Sequence, residues 1–99
     1  MIARIWEKLR NGELVFIREA NITVDDVRNS KYFLIAIADE DYHYDFVIGG
    51  IGYHIKMDGG KIIAEWYCLA NNPFQLNRES FDTVEEFCEW LGRINNEAA

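Results

Sequence analysis

The run Asp39-Glu40-Asp41-Tyr42-His43-Tyr44-Asp45 packs four carboxylates and an imidazole into seven residues. In an extended chain, side chains alternate between faces, so Asp39, Asp41, His43 and Asp45 fall on one side and Tyr42 and Tyr44 on the other. Carboxylate and imidazole are ligands of divalent cations, yet same-face neighbours in a strand stand roughly 7 Å apart. Metal–oxygen bonds are about 2.0–2.6 Å, and the run lacks the glycine and distal glutamate of a calcium loop. No metal site is expected. Two readings remain open. The run is either a solvated edge strand whose charges discourage sheet-to-sheet pairing, or an acidic recognition surface with Tyr42 and Tyr44 as anchors.

A second acidic cluster, Asp82, Glu85, Glu86 and Glu89, lies near the C-terminus on a segment with helical spacing. Negative charge in the first turn of a helix is favoured by its dipole, and Glu89 can pair with Arg93 at i+4. Helix electrostatics alone could place these acids. If they shared a face with the first cluster, the surface would match a nucleic-acid backbone in sign and could occupy a basic channel of another protein. Trp90 stands one position off the apolar stripe of that helix and is the expected aromatic contact.

Catalysis is not expected. His43 and His54 have no serine, cysteine or acidic partner in a recognisable motif. Gly49-Gly50-Ile51-Gly52 leads into a strand rather than a helix N-terminus, so it is no phosphate loop. No cofactor is implied. Cys68 and Cys88 sit among large apolar residues, where a thiol acts as a small hydrophobe, and no second ligand pair stands at zinc spacing.

The totals bound the answer further. Ninety-nine residues, 49% apolar and 14% aromatic with one proline, predict one folded domain over residues 1–99. Ten Lys and Arg against seventeen Asp and Glu give a net charge of -7. Residues 32–99 hold four of the basic and twelve of the acidic side chains. Direct nucleic-acid binding needs a basic footprint, as does an anionic membrane surface, so neither is expected. The charges at Arg4 and Glu7 interrupt the N-terminus too early for a signal peptide, so the expected location is the cytoplasm, of a host cell if the gene is a phage's.

The elements expected to position these residues centre on a hairpin, Ile51–Leu69, with Asp58-Gly59-Gly60 as its turn. Ile2, Ile5, Trp6 and Leu9 at helical spacing predict a first helix stopped by Asn11-Gly12. The competing reading takes Arg10-Asn11-Gly12-Glu13 as a turn between two strands. Leu14–Ile17 reads as a strand, Thr23 caps a short helix with acids in its first turn, and Tyr32–Ala38 reads as a central strand. Tyr42–Ile48 alternates as a strand, with a bulge or bend at Gly49-Gly50. Residues 70–80 read as a loop. Thr83 and Glu86 form a capping box on a helix whose stripe is Val84, Phe87, Cys88 and Leu91, frayed over 95–99. The expected fold is α+β in two layers, an antiparallel sheet of four to five strands covered by N- and C-terminal helices.

The functional expectation is a small acidic inhibitor, of the kind phages use against host defence (anti-CRISPR or anti-restriction), working as a monomer or weak homodimer. Its partner would be a larger basic protein or nucleoprotein complex, contacted through Asp39, Glu40, Asp41, Asp45, Glu85, Glu86 and Glu89 with Tyr42, Tyr44 and Trp90 as anchors. Two alternatives share the composition: an immunity protein or antitoxin that neutralises a nuclease toxin, and a non-catalytic assembly subunit.

Overall fold

The computed structural model describes residues 1–29, 41–68 and 75–97. Six strands are present: β1 Ile2–Lys8, β2 Leu14–Asn21, β3 Tyr42–Ile48, β4 Ile51–Asp58, β5 Lys61–Cys68 and β6 Gln75–Phe81. Helix α1, Val24–Asn29, follows β2, and helix α2, Val84–Glu97, follows β6. The strands form one sheet in the order β2-β1-β3-β4-β5-β6, every neighbour antiparallel. No helix is long and apolar enough to cross a membrane among the described residues.

This corrects the expected four to five strands with a helix at each end. The N-terminal segment is a strand, and both helices, one of them short, pack on the same face of the sheet. In β1, Ala3 and Ile5 are buried while Ile2 is 39% exposed, and Leu9, just past the strand, is 41% exposed. The i, i+3, i+4, i+7 spacing therefore mixed two faces of a strand, and the burial has period two. The turn reading of Asn11-Gly12 is the one the structure adopts. Asn11 Oδ1 accepts from the Glu13 amide at 2.9 Å, Leu9 N donates to the Glu13 carbonyl at 2.8 Å, and Gly12 takes φ +85°. A hairpin follows, pairing Lys8 with Leu14.

Two further expectations change. Strand β3 lies between β1 and β4, so Asp41–Asp45 is no edge strand. Among the described residues the edges are instead β2 and β6, the latter in the stretch read as a loop. Only Phe81 of β6 is buried, because an edge strand facing solvent needs little apolar patterning and its charges deter stray pairing. The central strand expected over 32–38 lies outside the described residues, as do 69–74 and the last two residues. The C-terminal helix continues to Glu97, past the point where fraying was expected.

The hairpin Ile51–Leu69 is present over its described length, pairing Asp58 with Lys61. Its turn residues Gly59 and Gly60 take φ +59° and +80°, and Gly49 and Gly50 take +59° and +78°. Two consecutive left-handed residues make the two-residue turn whose twist matches the strands, so Gly49-Gly50 is a second tight hairpin turn rather than a bulge. It pairs Ile48 with Ile51.

The core lies between the sheet and the helices. Tyr44 and Phe46 of β3, Tyr53 and Ile55 of β4, and Ile62 and Ala64 of β5 are buried, and α2 closes over them with Phe87, Cys88, Trp90 and Leu91. Val27 of α1 is fully buried in the same cluster. Both helices begin with reciprocal caps. The Thr23 amide donates to Asp26 Oδ2 at 2.8 Å and the Asp26 amide to Thr23 Oγ1 at 3.1 Å. The Glu86 amide likewise donates to Thr83 Oγ1 at 3.2 Å, while Glu86 Oε2 accepts from the Asp82 amide at 3.1 Å. The free Cys88 thiol is buried, and burial pushes its pKa up, which leaves it an inert core atom.

Left-handed glycines leave a testable mark. Gly60 has φ +80° and open space where a Cβ would stand, while Gly52 has the same open space without the positive φ. Gly60→Ala should cost about 1–2 kcal/mol from backbone strain alone, and Gly52→Ala should be neutral or slightly stabilising. Urea denaturation midpoints of the two variants measure the difference. Equal midpoints would mean the turn tolerates a side chain.

Candidate functional site

Alternation along the strands sends a second set of side chains to the face opposite the helices. Among the described residues no helix covers this face. Trp6 of β1 stands opposite His43 of β3, and Asp45 of β3 stands opposite His54 of β4. The Trp6 indole donates from Nε1 to Asp45 Oδ2 at 2.8 Å. His54 Nδ1 lies 2.7 Å from Asp45 Oδ1, and His43 Nδ1 lies 3.2 Å from His54 Nε2. The two imidazoles stack, with centroids 5.2 Å apart and planes at 26°. Three strands are thus tied by one hydrogen-bonded chain.

The chain has a direction. An ionised carboxylate only accepts, so Asp45 takes the indole proton on one oxygen and the His54 Nδ1 proton on the other. With His54 neutral, its Nε2 is an acceptor, which obliges His43 Nδ1 to donate. His43 Nε2 is left as the acceptor at the end of the relay. This tautomer assignment follows from satisfying the network. Burial first, then the charges of His54, Lys8 and Lys56, hold His43 below the usual imidazole range, against the pull of Asp45. Beside the relay, Lys56 Nζ meets Glu65 Oε1 at 2.6 Å, and that hydrogen bond keeps the Glu65 carboxyl below its ordinary value against the opposing effect of burial.

Sequence reasoning missed the His54–Asp45 pairing because the partner is on another strand. The signal was nevertheless present. A two-residue turn at Gly49-Gly50 pairs Ile48 with Ile51, and counting outward by three puts Asp45 opposite His54.

The residues expected to contact a partner are dispersed. Asp39 and Glu40 lie outside the described residues. Asp41 is exposed in the turn before β3, where its carbonyl accepts from the Lys8 amide at 2.6 Å. Tyr42 is half-buried and Tyr44 buried on the helix side, so Tyr44 fills the core rather than anchoring a partner. Asp45 is engaged in the relay. Trp90 is 6% exposed, its ring edge-on to Tyr53 at 5.5 Å and tilted against Trp66 and Phe81 at 5.6 and 5.3 Å. These rings fill the space off the Phe87–Leu91 stripe, which is why a position at the margin by spacing is buried in fact.

Glu85, Glu86 and Glu89 are exposed on α2, on the opposite side of the sheet from Asp45. The two expected clusters therefore do not merge through Asp45. Alpha1 joins α2 instead: Arg28 reaches Asp25 at 3.1 Å and Glu85 at 3.6 Å. Asp25 and Asp26, read in the sequence only as helix-capping acids, share the helical layer with Glu85, Glu86 and Glu89. Among the described residues no three His, Cys, Asp or Glu side chains are placed to hold a metal ion.

The relay makes stability proton-linked. A histidine depressed in the folded state takes up a proton more readily when unfolded. Its contribution is therefore complete above the ordinary imidazole value of about 6.5 and is lost as pH falls through the lower folded value. The thermal midpoint should begin to drop as pH falls through about 6.5 and continue to fall towards the lower folded value, and His43→Gln should flatten that slope. Asp45→Ala, which strips partners from the Trp6 indole and His54, should cost about 1–2 kcal/mol at neutral pH. Differential scanning calorimetry of the three proteins checks both, and a wild-type midpoint independent of pH would remove the linkage.

Compared with protein-family models, with curated proteins and with solved structures, the chain matches none.

Proposed function

We propose that the chain is a non-catalytic, inhibitor-type binding domain whose acidic helical layer occupies a basic, nucleic-acid-binding surface of a larger protein or nucleoprotein complex. The observation that carries this reading is the segregation of charge by layer. The six strands hold six acidic and six basic side chains, whereas the two helices hold six acidic and two basic ones. Four of the seven net negative charges therefore belong to 20 helical residues. On the sheet, Arg4 meets Glu19, Lys56 meets Glu65 and Asp58 meets Arg78. On the helices, Arg28 is shared between Asp25 and Glu85, and Glu89 and Glu97 are exposed.

A surface of one sign steers and orients a partner of the other. Phage anti-defence proteins, such as anti-CRISPR and anti-restriction inhibitors, work by this means. So do immunity proteins and antitoxins directed at nuclease toxins, and the identity of the partner separates the two. The charged residues differ in use. Asp26 and Glu86 cap helices, so replacing them would confound binding with folding, while Asp25, Glu85 and Glu89 can be changed with the caps intact.

The test is a pull-down of the tagged protein from bacterial lysate at low and high salt, beside the Asp25→Asn/Glu85→Gln/Glu89→Gln variant. The expected result is a basic nucleic-acid-binding complex that the variant retains at least about tenfold less well and that high salt releases, since exposed charges are screened beyond about 10 Å at 0.1 M. Equal retention by the variant would end the acidic-layer reading.

One observation favours a second reading, an assembly subunit. Leu14, Val15, Phe16 and Ile17 are each 38–48% exposed on β2, one of the two outermost strands of the sheet among the described residues. Apolar association through this strand with a second copy would resist salt and fail in Phe16→Lys. Light scattering at rising ionic strength distinguishes it, because a monomer at all concentrations excludes it.

A further inference from the structure

At the turn end of the open face, a hollow is lined by Lys8, Arg10, Asp41, His43, Lys56 and Asp58. Two of these charges are committed elsewhere. Lys56 is held by Glu65 at 2.6 Å, and Asp58 lies 3.7 Å from Arg78. Lys8 and Arg10 make no ion pair among the described residues, although the protein carries seven more acids than bases. Unpaired cations in an acidic protein are unexpected on charge statistics alone, since each has carboxylates in excess to choose from. They line the hollow together with His43, whose Nε2 the hydrogen-bond network leaves as an acceptor.

We propose that this hollow binds a phosphate-type oxyanion, held by the Lys8 ammonium and the Arg10 guanidinium and by a proton taken up at His43 Nε2. A guanidinium offers a planar fork to two oxygens of such an anion and an ammonium adds a point charge. Protonation at Nε2 converts the third group from acceptor to donor without disturbing the rest of the relay: His43 Nδ1 still donates to His54, and His54 still donates to Asp45. The groups facing His43 act in known senses. Trp6 and Lys8 come from β1, Asp45 from its own strand, and His54 and Lys56 from β4. The two lysines oppose the proton, as does His54 when it is itself charged, and Asp45 favours it. A bound dianion would reverse the effect of the lysines, so anion and proton enter together. Asp41 also lines the hollow, and its carboxylate disfavours an anion that reaches it. This site is on the face opposite the acidic helices, so it stands or falls separately from the inhibitor reading.

The experiment is an NMR titration of the full chain with sulfate, whose charge stays constant over the range used, at about pH 5.5 and 7.5. Sodium chloride at equal ionic strength is the control. Sulfate should shift the His43 ring and the Lys8 and Arg10 side-chain resonances, bind at least about tenfold more tightly at the lower pH, and raise the His43 titration midpoint. The Lys8→Gln/Arg10→Gln variant, altered only at exposed positions, should lose these shifts while keeping the His43–His54 contacts. Inorganic phosphate and adenosine monophosphate in parallel distinguish the source: equal affinity assigns a free anion and tighter binding of the nucleotide a phosphate ester. Shifts reproduced by chloride, or retained in the double variant, overturn the proposal.

Discussion

Among the described residues the two helices lie on one face of the six-stranded sheet, and the side chains of the two faces differ accordingly. Six strands spaced about 4.8 Å apart make a sheet about 24 Å wide. Alpha2, at 1.5 Å per residue, is about 21 Å long. The helices suffice for one side. That side takes the aromatic and aliphatic residues, from Ala3 on β1 to Phe81 on β6. The other side must satisfy its own polar atoms, and it does so laterally, through Trp6, Asp45, His54 and His43 and through the Lys56–Glu65 pair. Most burial is on the helix face and the cross-strand polar bonding is on the other, where Ile63 is also buried; both follow from the same alternation.

The same geometry separates the charges. Neighbouring strands hold side chains of distant sequence positions roughly 5 Å apart, so opposite charges anywhere in the chain can meet on a sheet. A helix offers only its own i+3 and i+4 positions and whatever lies beside it. Its first turn also prefers acid. Asp25 and Asp26 begin α1 and Glu85 and Glu86 begin α2, with no excess of nearby bases to balance them. A neutral sheet and a negative helical layer result.

Much of this was legible where a local rule determines structure. The two glycines at Gly59-Gly60 force a tight turn whatever surrounds them, and the capping box at Thr83 and Glu86 marks a helix start by chemistry internal to four residues. The reading failed where local rules compete or are silent. Ile2, Ile5, Trp6 and Leu9 satisfy the helical period, but Ala3 supplies the strand period, and a small residue weighs little in a hydrophobic pattern. Beta6 has Leu76 and Phe81 as its large apolar residues, because pairing with β5 rather than burial holds it in place. The relay escaped notice for a third reason. Asp45 and His54 become neighbours only once the turn between them is known to contain two residues and not three. A site built across strands is encoded in register, and register depends on turn length more than on the identity of the site residues.

The two glycine-pair turns also set an order of assembly. Each joins strands adjacent in sequence, so β3-β4-β5 can form with short loops closed at little entropic cost. Beta1 must wait, since its contact from Trp6 to Asp45 spans 39 residues. Contacts of long sequence separation slow folding. The bond that completes the polar relay is therefore among the contacts expected to form late, as the N-terminal hairpin meets the meander. Until that docking, Asp45 and His54 are paired across β3 and β4 alone, and one side of β3 is an open edge.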